Sequence, residues 1–553
     1  MPVDEIDVLI LGAGINGAGL FRDLCEQGLK AVIIEKGDFG SGTSAAPSRL
    51  IHGGLKYLET GELGLVAQST LERNLLLRNA PHLVRPLPTV IPIFSWLKGI
   101  GAALRTLAGS KSAPRSRGAL LIKLGLAMYD FYGARHRVMP RHALWSKARA
   151  LRAIPPLTPR IVAAGTYFDA TVRHPERLVL ELLRDGIAAQ EGAEALNYAS
   201  IAGTDGRTIH IALPGGGQRR FQPRVVVNAA GPWIDGVNAQ LGAPSRLIGG
   251  TKGSHILLDH PELIRALDGR MIYFEADDGR ICLVFDYLAR ALVGSTDIRA
   301  SDPETVRCEN EEVDYLLQSL QALLPGLSFD RSQIVYAYSG IRPLPNSEGV
   351  APGLISRDHS APVAEPADNR VWPIVSLVGG KWTTFRGFAE EVADMLLKRL
   401  GASRRASTRD LAIGGGHGFP TDAASRKRWL DETVRRTGAM RERAELLLDR
   451  YGTTAEAILA CEGAGPPTWI PDAPGYTTSE VEWLTRTEQV VHLGDVVMRR
   501  TTLAITGSLS RNGLEAVADV VAGVLGWSAE RRLIEIKTTL RTLVSRYRLR
   551  LLE

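Results

Sequence analysis

Four cysteines, Cys25, Cys282, Cys308 and Cys461, are all that 553 residues contain, and no two stand at a paired spacing. So sparse a set predicts neither a disulfide framework nor a thiolate zinc site, and it suits an intracellular chain. No uninterrupted apolar run reaches the length of a membrane span, and the opening "MPVDEIDVLI" lacks the basic stretch of a secretory signal, so no segment is expected to cross a bilayer. Internal repeats are absent. No nucleic-acid-binding motif accompanies the net charge of +6, so nucleic acid is not expected as a partner. Disorder is excluded as well, since 45% hydrophobic content over this length can bury large cores, spread by length alone over roughly two to four domains.

Acidic residues are scarce in one place. Between Ile91 and Arg149 eleven lysines and arginines stand against one acid, Asp130, so the rest of the chain is slightly acidic. Within that segment Phe94, Trp96 and Leu97 adjoin Lys98 and Arg105, with leucines and glycines following up to Leu126. The mixture suits a helix lying in an anionic lipid headgroup layer. A solvated basic loop, or a patch that steers an anionic substrate, is the alternative.

Glycine, in contrast, is plentiful, and three of its clusters follow apolar runs. In "DVLILGAGINGAGLFRDLCEQGLKAVIIEKGD", Val8 to Leu11 read as a buried strand that enters a tight turn, Gly12-Ala13-Gly14-Ile15-Asn16-Gly17. A helix over 18–28 and a second strand over 31–34, ending at Glu35, follow. Phosphate explains the glycines. A helix N-terminus offers unpaired N–H groups and a positive dipole end, which a pyrophosphate reaches only past a backbone without side chains. Gly12 allows the turn, Gly14 the close approach and Gly17 the packing of helix on strand, while Glu35 stands where it can accept hydrogen bonds from a ribose. The pattern predicts a dinucleotide site without separating NAD from FAD.

Two later turns narrow the choice. In "RTIHIALPGGGQRRFQPRVVVNAAGPW" a hairpin around Gly215–Gly217 leads into a buried strand, Val225 to Val227, that ends in the turn containing Gly231. In "VSLVGGKWTTFRGFAEEVADMLLKRL" a strand reaches Gly380 and Lys381 and then opens a helix. Between the first and second turns, "GTYFDATVRHPERLVLELLRDGIAAQEGAEAL" reads as strand, turn at His174-Pro175, helix and return strand. "SHILLD", "RICLVFDY" and "RALVGSTD" add further strands. Past "GASRRASTRDLAIGGGHGFPTD", of linker composition, the pattern is helical throughout from about Ala423. Three strand-to-glycine turns so far apart fit an FAD fold better than an NAD dehydrogenase. The expected architecture is an α/β FAD-binding fold of the glutathione reductase and amino-acid oxidase type, interleaved with an α+β substrate domain over 1–404. A C-terminal all-α domain is expected over 405–553.

Six motifs in order, "TSAAPSRLIHGGLKYLETGELGLVAQSTLERNLLLRNAPHLV", "NAAGPW", "TKGSHILL", "LVGSTDI", "YAYSGIRPL" and "GGKWTTFR", resemble those of FAD-dependent glycerol-3-phosphate dehydrogenases. "EQVVHLGDVVMRRTTLAI" is similar to the helical domain that closes those enzymes. The resemblance implies noncovalent FAD, oxidation of sn-glycerol 3-phosphate to dihydroxyacetone phosphate by hydride transfer, and electrons passed to a membrane quinone. It also implies a cytoplasmic enzyme held peripherally at the inner face of the cell membrane, with a homodimer as a further expectation and no metal. Related readings are oxidation of another polyol phosphate, such as erythritol phosphate, and an oxidase that uses dioxygen. A flavin-bound scaffold without turnover would have no need to keep cations and bases together.

By the same resemblance, Thr43, Ser44, Ser48, His52 and Gly53 join Gly12, Gly14, Asn16, Gly17 and Glu35 around the cofactor, with Gly231, Gly380, Lys381 and Thr383 from the later turns. Lys56, Tyr57, Thr296, Arg342 and Lys381 are expected at the substrate. Oxidising a secondary alcohol needs a base for the hydroxyl proton and cations for a phosphate of charge near −2, which makes His52 and His255 the candidate bases and Arg342 and Lys381 the cations. Lys381 has a second possible role beside the flavin N1–C2=O edge, where a cation stabilises the reduced ring. For the other nine of the eleven histidines an ordinary hydrogen-bonded role is the simpler reading. Two departures stand out. Lys56 occupies a position where the family usually has arginine, and Pro47 and Arg49 replace a usual serine and lysine near the flavin, the second keeping its charge.

Overall fold

The computed structural model describes residues 2–54, 62–96, 119–132, 139–300, 302–347, 355, 358–463, 465–473 and 475–551. Lys56, Tyr57 and, in the basic segment, residues 97–118, Leu97 included, and 133–138 lie outside the described residues.

Strand β1 (Val3–Leu11) is apolar along its inner half because both of its faces are covered. Val8 and Ile10 turn to one core, with Phe21, Val179, Val227 and Phe388. Leu9 and Leu11 turn to another, with Val32, Phe221, Val226 and Trp372. Helix α1 (Ile15–Glu26) and strand β2 (Ala31–Ile34) complete the first unit, β2 pairing parallel to β1 with Val8 opposite Ala31. The helix starts earlier than the apolar spacing suggests, directly on the glycine turn.

Eight described strands form this first sheet. Ile374–Ser376, Gln218–Asn228, β1, β2 and Glu194–Leu196 lie side by side and parallel. Val363–Ala364 is antiparallel at one edge, and the expected hairpin is present, Ile209–Ala212 pairing antiparallel with Gln218–Asn228. Helices Pro175–Ala189 and Phe385–Leu400 pack with α1 on one face. The C-terminal ends of the three central strands therefore open on one side, where a doubly wound sheet takes its ligand.

Ten described strands form the second sheet, mostly antiparallel, reached by excursions between the strands of the first. One face packs against helix Asn310–Leu323 through Ile256, Leu258, Leu316 and Leu320. The other combines Leu257, Phe285, Leu292 and Tyr336 with Val496, Leu503, Leu514 and Val521 from the C-terminal helices, in one continuous core. Beyond Ala423 helices dominate, but they are not continuous as the sequence pattern suggests. Leu493–Asp495 and a π-helical turn, Val496–Arg500, give way to turns over 501–507 before the helix Arg511–Leu525.

Candidate functional site

A cleft of about 1410 Å³ lies between the two sheets, and its floor follows from the two-residue period of strands. Tyr167 and Asp169 on Ala163–Val172, Gly253 and His255 on Thr251–Leu258, and Gly340 and Arg342 on Ile334–Arg342 sit two residues apart, so each pair faces the cleft together. The opposite wall is the glycine turn after β1, with the loops that follow β2 and strand Gln218–Asn228.

The turn fits a pyrophosphate. Gly12 has φ +107°, and a Cβ there would stand 2.7 Å from the Ala229 carbonyl oxygen in the second glycine turn. A Cβ on Gly17 would stand 2.0 Å from the Gly12 oxygen. Gly14 is the N-cap of α1 and has no side chain to cap the helix, so beyond the first N–H, taken by Ser44, the helix end is left to a ligand. Ser44 Oγ accepts from Ile15 N at 2.9 Å, and Thr43 Oγ1 donates to the Ile341 carbonyl at 2.6 Å, so the loop after β2 is pinned to both walls. Asn16 donates to the Gly379 carbonyl at 3.2 Å, while its Oδ1 is buried with no partner among the described residues. Glu35 accepts from Ala13 N at 2.9 Å and Gly37 N at 3.0 Å. Burial raises its pKa, against which those two N–H groups act. Gly231 (φ 57°) and Gly380 (φ 88°) bring the other two turns to the same cleft.

At the other end His52, His255, Arg342 and Lys381 line one space, although they come from four separate segments. Behind His52, the Thr383 hydroxyl accepts from its backbone N–H at 3.1 Å and Asp169 Oδ1 accepts from Gly53 N at 3.1 Å. Asp169 is raised by burial although Arg73 lies 3.2 Å away, and Tyr129 joins them through short hydrogen bonds. His255 is 1% exposed, stacks on Tyr338 with ring centroids 4.9 Å apart, and has Nε2 2.9 Å from Ser48 Oγ. Burial first, then the Arg342 and Arg49 guanidiniums, push its pKa down to about 3, so the ring is neutral near pH 7. Arg342 donates to Asp297 Oδ1 at 2.9 Å, Ser295 Oγ at 3.2 Å and the Thr296 carbonyl at 3.3 Å. Lys381 Nζ donates to Ser69 Oγ at 3.1 Å from a buried position.

Four residues expected at the ligand stand behind the lining instead. Gly17, Gly53 and Thr383 support it. Thr296 is 1% exposed and turns its hydroxyl to Glu312 Oε1 at 2.7 Å, while its neighbours Ser295 and Asp297 face the cleft. Arg49 likewise turns away from the cleft, onto Glu176 at 2.9 and 3.0 Å. Ser295, Asp297, Tyr167 and Asp169 were not singled out by motif. A buried aspartate in phase with a tyrosine in "TYFDAT" was the available signal for the last two.

Comparison with known proteins fixes the class. Residues 7–395 match the family described as FAD dependent oxidoreductase, and residues 406–532 match the C-terminal domain of alpha-glycerophosphate oxidase. A glycerol-3-phosphate dehydrogenase of Synechocystis is 31% identical over 95% of this chain and 94% of its own length. The aerobic glycerol-3-phosphate dehydrogenase of Escherichia coli is 30% identical over 95% of this chain and 97% of its own. Among solved structures, the glycerol-3-phosphate dehydrogenase of Bacillus halodurans complexed with FAD superposes with a TM-score of 0.73 at 22% identity, covering 98% of this chain and 95% of that one. The protein is thus an FAD-dependent oxidoreductase. Within that class, the chain belongs to the glycerol-3-phosphate dehydrogenase family.

Proposed function

We propose that the protein oxidises sn-glycerol 3-phosphate to dihydroxyacetone phosphate and passes the electrons to a membrane quinone. The observation that carries this reading is the meeting of His52, His255, Arg342 and Lys381 in a cleft continuous with the glycine cradle. When bound, FAD supplies the acceptor for the hydride that leaves C2 of the substrate. The protein holds the substrate's phosphate with Arg342, whose guanidinium is already oriented by Asp297 and Ser295. Lys381, itself buried, adds a second cation. His52 takes the hydroxyl proton, since its backbone is fixed from behind by Thr383 and, through Gly53, by Asp169. His255, whose basicity burial removes, positions Ser48 beside the reacting hydroxyl. Lys56 adds a flexible point charge where the family usually has a planar guanidinium, which loosens the phosphate's positioning.

The quinone implies a membrane surface. Phe94 and Trp96, 42% and 56% exposed where a strand of the second sheet ends, stand at the start of the basic segment, and such residues suit insertion among lipid headgroups. No helix among the described residues is long and apolar enough to cross a membrane. One experiment tests the reading. Anaerobic flavin bleaching is followed with glycerol 3-phosphate, glycerol and erythritol phosphate, then reoxidation by a quinone analogue or dioxygen, with and without anionic vesicles. Glycerol 3-phosphate should bleach fastest and the quinone analogue reoxidise fastest, with protein that sediments with vesicles at low salt. Faster bleaching by erythritol phosphate would replace the substrate, faster reoxidation by dioxygen the acceptor, and no sedimentation would remove the membrane.

A further inference from the structure

The end of the cleft where Glu35 stands is completed by residues from the far end of the chain. Met498 and Arg499 line it beside Gly37 and Asp38. Asp38 is 1% exposed. Its Oδ2 accepts from Arg499 Nε at 2.5 Å and Arg500 Nη1 at 2.6 Å, and its Oδ1 accepts from Arg500 Nη2 at 2.9 Å, partners more than 460 residues away (|i−j| 461 and 462). The neighbouring loop is tied to the same segment. Asn197 donates to Asp38 Oδ1 at 3.1 Å and to the Gln489 carbonyl at 2.9 Å. Tyr198, which lines the cleft, donates to Asp495 Oδ1 at 2.5 Å, and Arg499 Nη2 reaches that oxygen at 2.6 Å. These two loops follow the adjacent parallel strands β2 and Glu194–Leu196, so both are fixed from outside by residues 489–500. The two arginines are presented by the π-helical turn Val496–Arg500, a distortion often found at functional sites.

We propose that residues 489–500 form a working part of the cofactor site, so that FAD binding and docking of the C-terminal helical region strengthen one another. A buried carboxylate shared by two guanidiniums is costly to half-break, which makes the arrangement two-state: the loops are set with the segment docked and loosen without it. Reciprocity follows, because a segment that raises FAD affinity must itself be held more tightly when FAD is bound.

The test uses the full chain with and without FAD. Amide hydrogen exchange of wild type should slow in peptides covering 489–505 when FAD is added, by tenfold or more. Asp38→Asn, checked for native circular dichroism, should raise the dissociation constant for FAD at least tenfold, and Arg499→Lys should raise it less. Glu462→Gln, which disturbs the buried Arg443 pair elsewhere in the helical region, should lower the melting temperature and leave FAD affinity unchanged. Wild-type FAD affinity in folded Asp38→Asn, or exchange at 489–505 indifferent to FAD, overturns the proposal. If Asp38→Asn does not fold, Arg499→Lys and the wild-type exchange decide it. An equal loss of affinity in Glu462→Gln would reduce residues 489–500 to a general structural role.

Discussion

The two ends of the cleft are made in different ways. The cofactor end is largely backbone: a contiguous turn, Gly12 to Gly17, with loops whose N–H groups and bare glycines do the work. The substrate end is made of side chains, His52, His255, Arg342 and Lys381, delivered by four separate segments and held by Asp169, Thr383, Asp297 and Ser69. A backbone site fails as a whole when one atom is added to it. A side-chain site fails in steps, one role at a time.

The sharpest way to break that contrast is Gly17→Ala. Its Cβ would meet the Gly12 oxygen at 2.0 Å, a main-chain atom that cannot turn aside, so the turn must open at a cost of about 3 kcal/mol or more. The purified variant should be colourless, with a lowered melting temperature; a yellow, wild-type-like protein would end the backbone account. At the other end, His52→Asn should keep its flavin and lose roughly 10²- to 10⁴-fold in the anaerobic bleaching rate. His255→Asn should lose much less, and the reverse order would exchange their roles. Arg342→Ala should follow, with kcat/KM for glycerol 3-phosphate lower by roughly one to three orders of magnitude at unchanged flavin content, since a charge-assisted hydrogen bond contributes roughly 1.5–3 kcal/mol.

The smallest effect concerns acid. The folded pKa of His255, about 3, lies below its ordinary 6.5, so the unfolded chain binds the extra proton between those values. Its contribution to stability is complete above pH 6.5 and is lost as pH falls, by about 2 kcal/mol between pH 7 and pH 5. Denaturant melts at the two pH values should show a steeper loss in wild type than in His255→Asn. Equal losses would mean that the ring is not buried neutral.

The same contrast explains what was legible. The strand over 31–34 and the glycine cradle stand where the pattern puts them, because local backbone geometry is written in contiguous residues. The floor of the cleft was readable only through motif resemblance, and there the phase was missed: in "STD" Thr296 alone was expected at the substrate, whereas Ser295 and Asp297 face the ligand space and Thr296 does not, a matter a motif does not carry. Asp38 carried no local signal, since its partners are arginines at the opposite end of the chain. The break in helical pattern at 493–507 also escaped, because a π-helical turn keeps the composition of a helix while changing its hydrogen bonds.

The strand order of the first sheet sets a timetable for synthesis. β1 lies between β2 and strand Gln218–Asn228, and that strand pairs on its far side with Ile374–Ser376. At about 5–20 residues per second a ribosome needs roughly 7 to 30 s to pass from the end of strand Gln218–Asn228 to Ile374–Ser376. Through that interval Val226 and Val227 have an unpaired edge, of the apolar, β-branched kind that joins the edges of other chains. Yield of the intact enzyme should therefore be limited during translation, at crowded polysomes, and slower initiation or added chaperone should raise it more than any gain in the stability of the finished protein.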